Sequence, residues 1–239
     1  TRSIKLDKFS ISDYKLDFGL QYTYKLNKKN TINIGAVYTL GRTLHGDAYK
    51  YHQTGAESNG SIYVQSQTGD TIPNPFKMPH TFGIGLTYVY DNRLTIGVDY
   101  TLQKWNTADL AWSKFNKESV EMNSRTKIAF GAEFVPSYIS HNYLKRIRYR
   151  MGAYYSSPYN KVSYTSPDTG TTSFQDGARE YGVSIGFGLP MFQSKSMLNI
   201  SGQYIKVSPK FKGLMEENYL RINIGLTFNE RWFMKWKVD

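Results

Sequence analysis

Apolar side chains recur at every second position along most of this chain. That is the signature of an extended strand, in which neighbouring residues point to opposite faces. In the first such segment Tyr14, Leu16, Phe18, Leu20, Tyr22, Tyr24 and Leu26 share one face, and Lys15, Asp17, Gly19, Gln21, Thr23 and Lys25 share the other. The alternation returns over residues 32–41, 81–90, 94–103, 127–134, 147–155, 180–189, 198–204 and 220–228. In the third segment, for example, Phe82, Ile84, Leu86, Tyr88 and Tyr90 stand against Thr81, Gly83, Gly85, Thr87 and Val89. The eighth is the weakest, with Gly202 in an apolar slot. The pattern predicts nine strands and an all-β fold.

The connections alternate as well. Residues 27–31, 91–93 and 190–197 are short links and 136–146 is moderate, while 42–79, 104–125, 156–179 and 205–219 are longer. Pro136 and Pro190 follow strands and read as terminators, because proline cannot donate to a ladder. Short turns at one end and long loops at the other are the habit of outer-membrane barrels. Tyr22, Tyr24, Tyr88, Tyr90 and Phe134 lie beside the short turns, and Tyr14, Tyr38, Tyr100, Trp105, Tyr155, Tyr181 and Tyr204 lie toward the long loops. These make two aromatic belts flanking an apolar band, the depth that Tyr and Trp prefer in a membrane.

The soluble alternative is a β-sandwich or lipocalin-like barrel, whose apolar face would be its core. That inner face would be crowded with full-length Tyr and Phe, while the outer face would be rich in glycine and poor in mid-strand charge. Turned inside out, both faces make sense. The expected fold is a transmembrane antiparallel up-and-down β-barrel, one domain over residues 1–239 with a periplasmic tail over 230–239. Odd strands then run toward the periplasm and even strands away from it. Nine strands leave the first without the upstream partner an even-numbered barrel needs, so the sequence is expected to be the C-terminal part of a longer barrel. Residues 4–9 are expected in an outer loop or in the rest of a preceding strand.

Composition narrows the classes further. The net charge of +11 comes from scattered lysines and arginines with no run of five like charges, which argues against nucleic acid and for water or anionic lipid head groups. There is no cysteine, so disulfides, thiolate zinc sites and cysteine nucleophiles are excluded. Aromatic residues make up 15%, too many for a disordered chain. No run of about 18 apolar residues offers a membrane-spanning helix, and the first residues have no apolar core of a signal peptide.

The C-terminal third carries a family likeness. It reads Gly186-Phe187-Gly188-Leu189-Pro190, Ser196-Met197-Leu198-Asn199-Ile200-Ser201, Glu217-Asn218-Tyr219-Leu220-Arg221-Ile222 and Leu226-Thr227-Phe228-Asn229-Glu230-Arg231-Trp232-Phe233. It resembles a divergent branch of the outer-membrane transporters of long-chain fatty acids and aromatic hydrocarbons, the FadL type, over residues 146–233. Over 11–135 the likeness is architectural. The resemblance implies a fourteen-stranded monomeric barrel plugged by an N-terminal hatch, with nine strands present here, and a hydrophobic ligand that passes through it. The hatch lies outside this sequence, so no ligand-handling residue carries over.

The candidate chemistry is sparse. Lys15, Asp17, Lys25, Asp99, Lys127, Glu133, Arg148, Arg150, Glu180 and Arg221 share the polar face and would line the lumen. They read first as a salt-bridge lattice and second as a polar channel or hatch-docking surface. Arg148 and Arg150, two apart on one face, could clamp an anion or a carboxylate. Of His45, His52, His80 and His141, the first three fall in the first long loop or at its end, and the fourth lies in the moderate connection. All four read as solvated loop histidines. Asp47, Glu57 and Asp70 share the first long loop and give only weak grounds for a metal. No Gly-x-Ser-x-Gly, His-Glu-x-x-His or P-loop pattern occurs. No catalytic residue, metal site or cofactor is assigned. Tyr22, Tyr24, Tyr88, Tyr90, Tyr100, Trp105, Tyr181 and Trp232 are the candidate membrane-interface aromatics. The expected location is the outer membrane of a Gram-negative bacterium. The expected partners are outer-membrane lipid and lipopolysaccharide, a hydrophobic small molecule and other outer-membrane proteins, with no nucleic acid. Passage of hydrophobic small molecules is the first expected function. A structural barrel subunit of a larger outer-membrane complex is the alternative, and an outer-membrane hydrolase comes third.

Overall fold

The structure, a computed structural model, describes residues 2–58, 61–107, 121–165, 172–191, 196–209 and 215–228. In chain order its elements begin with β1 (Arg2–Ile11), β2 (Asp17–Lys25), β3 (Asn30–Thr39), β4 (Arg42–Thr43), β5 (Gly46–Ser58), β6 (Ser61–Pro73), β7 (Lys77–Met78), β8 (Thr81–Tyr90) and β9 (Leu94–Gln103). They continue with β10 (Arg125–Phe134), a single helical turn α1 (Tyr143–Arg146), β11 (Arg148–Ser156), β12 (Lys161–Thr165), β13 (Thr172–Asp176), β14 (Ala178–Pro190), β15 (Met197–Pro209) and β16 (Glu217–Thr227).

The nine expected strands form one antiparallel sheet in the order β16-β15-β14-β11-β10-β9-β8-β3-β2. Each pairs with its predecessor and successor among the nine, as a chain of hairpins requires. β8 and β9 match the expected bounds to the residue. The register keeps the stripes in line: Tyr100 pairs with Ile128, Ile128 with Tyr155, and Tyr155 with Tyr181. The sheet is open among the described residues, with β2 and β16 as its edges.

The apolar stripe forms no dry centre. Leu20 is 76% exposed, Ile185 58% and Ile222 68%. Along β14 the odd positions Tyr181, Val183, Ile185 and Phe187 are exposed, while Gly182, Gly186 and Gly188 on the other face are buried. Buried hydrophobic side chains among the described residues are Ala48, Ile72, Val135, Ile147 and Ile205. A sandwich would bury the stripe between two sheets; here it is bare.

The short links close tightly. Asn27 Oδ1 accepts from the N–H groups of Lys29 and Asn30, both at 2.9 Å, and turns β2 into β3. Between β8 and β9, Asp91 and Asn92 sit at φ 50° and 52°, and Arg93 N–H donates to Tyr90 O at 2.8 Å. Asp and Asn tolerate that left-handed backbone, and the turn's twist matches the strands it joins.

Three expectations change. The first strand begins at Asp17 rather than Tyr14, because the Asp13 carboxylate takes the Tyr14 N–H at 2.7 Å and the backbone leaves the ladder there. The first long connection is ordered: β5 and β6 form a hairpin of 13 residues per strand, and β1 adds to β5 to make a separate three-stranded sheet. Residues 4–9 therefore belong to this extension. The link after β15 is shorter than expected, since β15 runs on to Pro209 and β16 starts at Glu217.

On the polar face, glycines admit bulky neighbours from the next strand. A Cβ at Gly182 would fall inside the Tyr154 ring, whereas one at Gly131 would meet nothing within 4 Å. Gly182→Val is expected to displace Tyr154 and destabilise the fold by about 1–3 kcal/mol, measured as a lowered thermal midpoint. Gly131→Ala is expected to leave the midpoint unchanged within about 0.5 kcal/mol. Equal effects at both positions would contradict this packing.

Candidate functional site

Alternation and register decide which charges meet on the polar face. Glu133 on β10 lies directly opposite Arg150 on β11, and Arg148 is two residues away on the same side. Arg148 Nη1 donates to Glu133 Oε1 at 3.0 Å, and Arg150 Nε donates to Oε2 at 2.7 Å. The arginine pair thus clamps a carboxylate of the neighbouring strand. Arg150 Nη1 also reaches across β14 to Asn199 Oδ1 on β15 at 2.8 Å. Its path crosses Gly186, the register partner of Arg150, beside Gly188, the partner of Arg148 and Asn199. A Cβ at Gly188 would come within 3.1 Å of Arg148 Cβ. Asn199 Nδ2 then donates to Thr227 Oγ1 on β16 at 3.3 Å, so one network ties four strands. Two cations on one carboxylate leave it net positive. Its members are partly exposed, which holds each pair to about 0–1 kcal/mol.

A second cluster lies nearer the long connections. Glu180 accepts from the Tyr154 hydroxyl, and Arg125 Nη2 is 4.0 Å from Glu180. Arg125 Nε donates to Ser156 Oγ at 2.7 Å, and Lys127 Nζ stands 4.7 Å from the centre of the Tyr154 ring. At the β2 end Lys15 Nζ is 2.8 Å from Asp17 Oδ2, and Thr39 Oγ1 donates to Asp17 Oδ1 at 2.5 Å. Asp99 lies over Gly85, where an added Cβ would collide with its carboxylate. Asp99 and Arg221 make no hydrogen bond or ion pair with the described residues. Arg125, Tyr154 and Asn199 were missing from the sequence-derived set. Arg125 stood at the right parity, two residues before Lys127; the reach of Arg150 over a glycine strand leaves no sequence signal.

The candidate interface aromatics lie toward the two ends of the sheet. Tyr22, Tyr24 and Tyr90 are exposed near the short links, and Tyr88 donates to Asn30 Oδ1 at 2.5 Å. Tyr100 and Tyr181 are exposed toward the other end, where Tyr181 packs on Tyr155 with ring centres 5.1 Å apart. Trp105 follows β9 and donates to Gln103 Oε1 at 3.1 Å. Trp232 and the tail lie outside the described residues.

One histidine departs from expectation. His80 is half-buried at the foot of the extension. Its Nδ1 accepts from Gly41 N–H at 3.2 Å and lies 2.8 Å from the Tyr38 hydroxyl, so the ring proton sits on Nε2. The imidazole stacks on Tyr38 with centres 6.0 Å apart. His45 and His141 are exposed. Among the described residues, no three of His, Asp and Glu gather as a metal site.

The joint between the extension and the main sheet is built on Asp13. Its side chain is 6% exposed and accepts from the N–H groups of His45 at 2.9 Å and Tyr14 at 2.7 Å. His45 Nδ1 at 3.2 Å and Arg42 Nη1 at 3.3 Å complete the shell, and the Arg42 guanidinium covers the Tyr14 ring at 4.1 Å. The two backbone N–H donors, then His45 and Arg42, hold the Asp13 carboxyl down to about 2. A depressed carboxyl stabilises above its ordinary titration range, near 4, and loses that effect as pH falls through the folded value. Pepsin cleavage between residues 40 and 46, expressed at each pH relative to an unstructured reference peptide so that the protease's own pH dependence cancels, is therefore expected to stay constant from about pH 5 to about pH 4 and to rise steeply from there toward pH 2. Asp13→Asn is expected to be cleaved readily throughout that window. A wild-type profile matching Asp13→Asn would contradict the joint.

The model of the BamG family matches residues 1–239. No curated protein and no solved structure matches the chain. A family match over the whole length, on a sheet with a bare apolar face and aromatics toward both ends, places the chain in the BamG family and in the outer membrane of a Gram-negative bacterium.

Proposed function

We propose that the chain is a β-barrel wall embedded in the outer membrane, serving as a structural subunit of a larger outer-membrane assembly of the BAM type. The observation that carries this reading is the two-faced sheet: its apolar side is bare, and its polar side ties its own charges together. In water a bare stripe running the width of nine strands is an aggregation surface; in hydrocarbon it is the favourable face. Hydrocarbon also requires both edges, β2 and β16, to be paired, since each unsatisfied backbone group there costs several kcal/mol. The short links then face the periplasm, and the long connections, with the three-stranded extension, face outward. Membership of the BamG family directs the reading toward assembly with other outer-membrane proteins. The clamped arginines favour a scaffold, because Arg148 and Arg150 spend donors on Glu133 and Asn199.

Affinity-tagged chain, extracted from outer membranes in mild detergent, is expected to co-purify with BAM components at fixed stoichiometry. Its depletion is expected to leave uptake of long-chain fatty acids and aromatic hydrocarbons unchanged. A chain that elutes alone, from cells whose hydrocarbon uptake falls on depletion, would overturn the subunit reading in favour of transport.

A further inference from the structure

Two cations on the bare apolar face have no acidic partner among the described residues. Arg179 shares its side of β14 with Tyr181, Val183, Ile185 and Phe187, while Glu180 faces the other way toward Tyr154 and Arg125. Lys104 follows Leu102 off the end of β9 on that same face, and its ammonium stands 5.5 Å from the centre of the Phe82 ring. Neither charged side-chain head makes a hydrogen bond or ion pair with the described residues. Lys206, diagonal to Arg179 on the adjacent strand, has its own carboxylate, Glu216, at 2.6 Å. Lys104 and Arg179 are thus charges in need of a counter-ion.

Their level on the sheet is defined by neighbours. Lys104 N–H donates to His80 O at 2.9 Å, at the end that carries the long connections. Arg179 lies one inward-outward repeat beyond Tyr181, which is paired with Tyr155. Both cations therefore stand at or past the aromatic row of Tyr100, Tyr155 and Tyr181. Three strand steps separate β9 from β14, roughly 14 Å. Tyr159 packs on Trp105 with ring centres 5.8 Å apart, and Ser157 Oγ accepts from Thr126 N–H at 2.8 Å. A guanidinium on a lipid-facing strand is tolerated only where its head reaches the polar layer. The anion of that layer is phosphate, which the planar fork of arginine fits bidentately.

We propose that Lys104 and Arg179 form a ledge that binds the phosphate groups of outer-leaflet lipopolysaccharide. The ledge rests on the membrane-barrel reading given above. The test titrates the purified full chain in detergent with lipopolysaccharide and follows the thermal midpoint. The wild type is expected to rise. The rise is expected to fall by half or more in Lys104→Ser/Arg179→Ser and to persist in Lys104→Arg/Arg179→Lys. Lipopolysaccharide stripped of phosphate is expected to give no rise. An equal rise in the serine variant, or with the stripped lipid, would overturn the ledge. A full rise with inorganic phosphate alone would reassign the site to a free anion and overturn the lipid assignment. Should the double serine variant lose its strand circular dichroism, the single variants Lys104→Gln and Arg179→Gln carry the same comparison, each losing part of the rise. The barrel reading fails by a separate route, a soluble chain that binds no membrane, so the two failures are distinguishable.

Discussion

Exact in-register pairing with a side-chain period of two is the constraint on which this structure rests. A slip of one residue anywhere along the nine strands would send every apolar side chain of that strand to the opposite face. The ladder avoids this from end to end: Leu20 faces Ala36, Ala36 faces Ile84, and Ile185 faces Gly202, which faces Ile222. The result is two surfaces of opposite character on one sheet. All else follows from which solvent each surface meets.

The polar surface solves the problem of charges held close together. Glu133 takes two guanidiniums, Glu180 takes a phenol and lies at the edge of reach of Arg125, and Asp17 takes an ammonium and a hydroxyl. Glycine makes this possible at two places, Gly182 under Tyr154 and Gly188 beside Arg148. These polar-face glycines are therefore seats for the side chains of the neighbouring strand. Charge held away from water is costly without a partner, and the half-buried members, Glu133, Arg148, Arg150 and Glu180, all have one, while Asp99 and Arg221 stand exposed. The outcome is a set of side-chain ties between neighbouring strands, which is what the proposed subunit reading draws on.

Much of the main sheet was legible because nine strands each carried at least four alternating positions, and β8 and β9 emerged with their bounds intact. The extension was not. In β5 the sequence from Gly46 to Ser58 has Tyr49 and Tyr51 at the right spacing, but His52, Gln53 and Thr54 make both faces polar, and such strands carry almost no periodic signal. β12 and β13 are too short for one. The candidate charges were legible by parity, and Glu133, Arg148 and Arg150 do meet. Their pairing was not legible, because register and long-range reach decide it. His80 looked like a solvated loop residue because nothing local announces that Tyr38 and Gly41, some forty positions earlier, would meet its ring. The likeness to fatty-acid transporters rested on strand and turn motifs, which speak for architecture; the family match over the full length bears on what the architecture serves.

The central claim is that the bare stripe meets hydrocarbon. The chain has no cysteine, so single cysteines placed along β14 can each carry one spin label. Collision with lipid-soluble oxygen and with a water-soluble nickel chelate, read in outer-membrane vesicles at positions 183, 184, 185 and 187, tests the claim directly. The account predicts a two-residue alternation, with oxygen favoured at 183, 185 and 187 and oxygen contact lowest at 184. A flat profile, or one in which 183, 185 and 187 meet the nickel chelate, would contradict it.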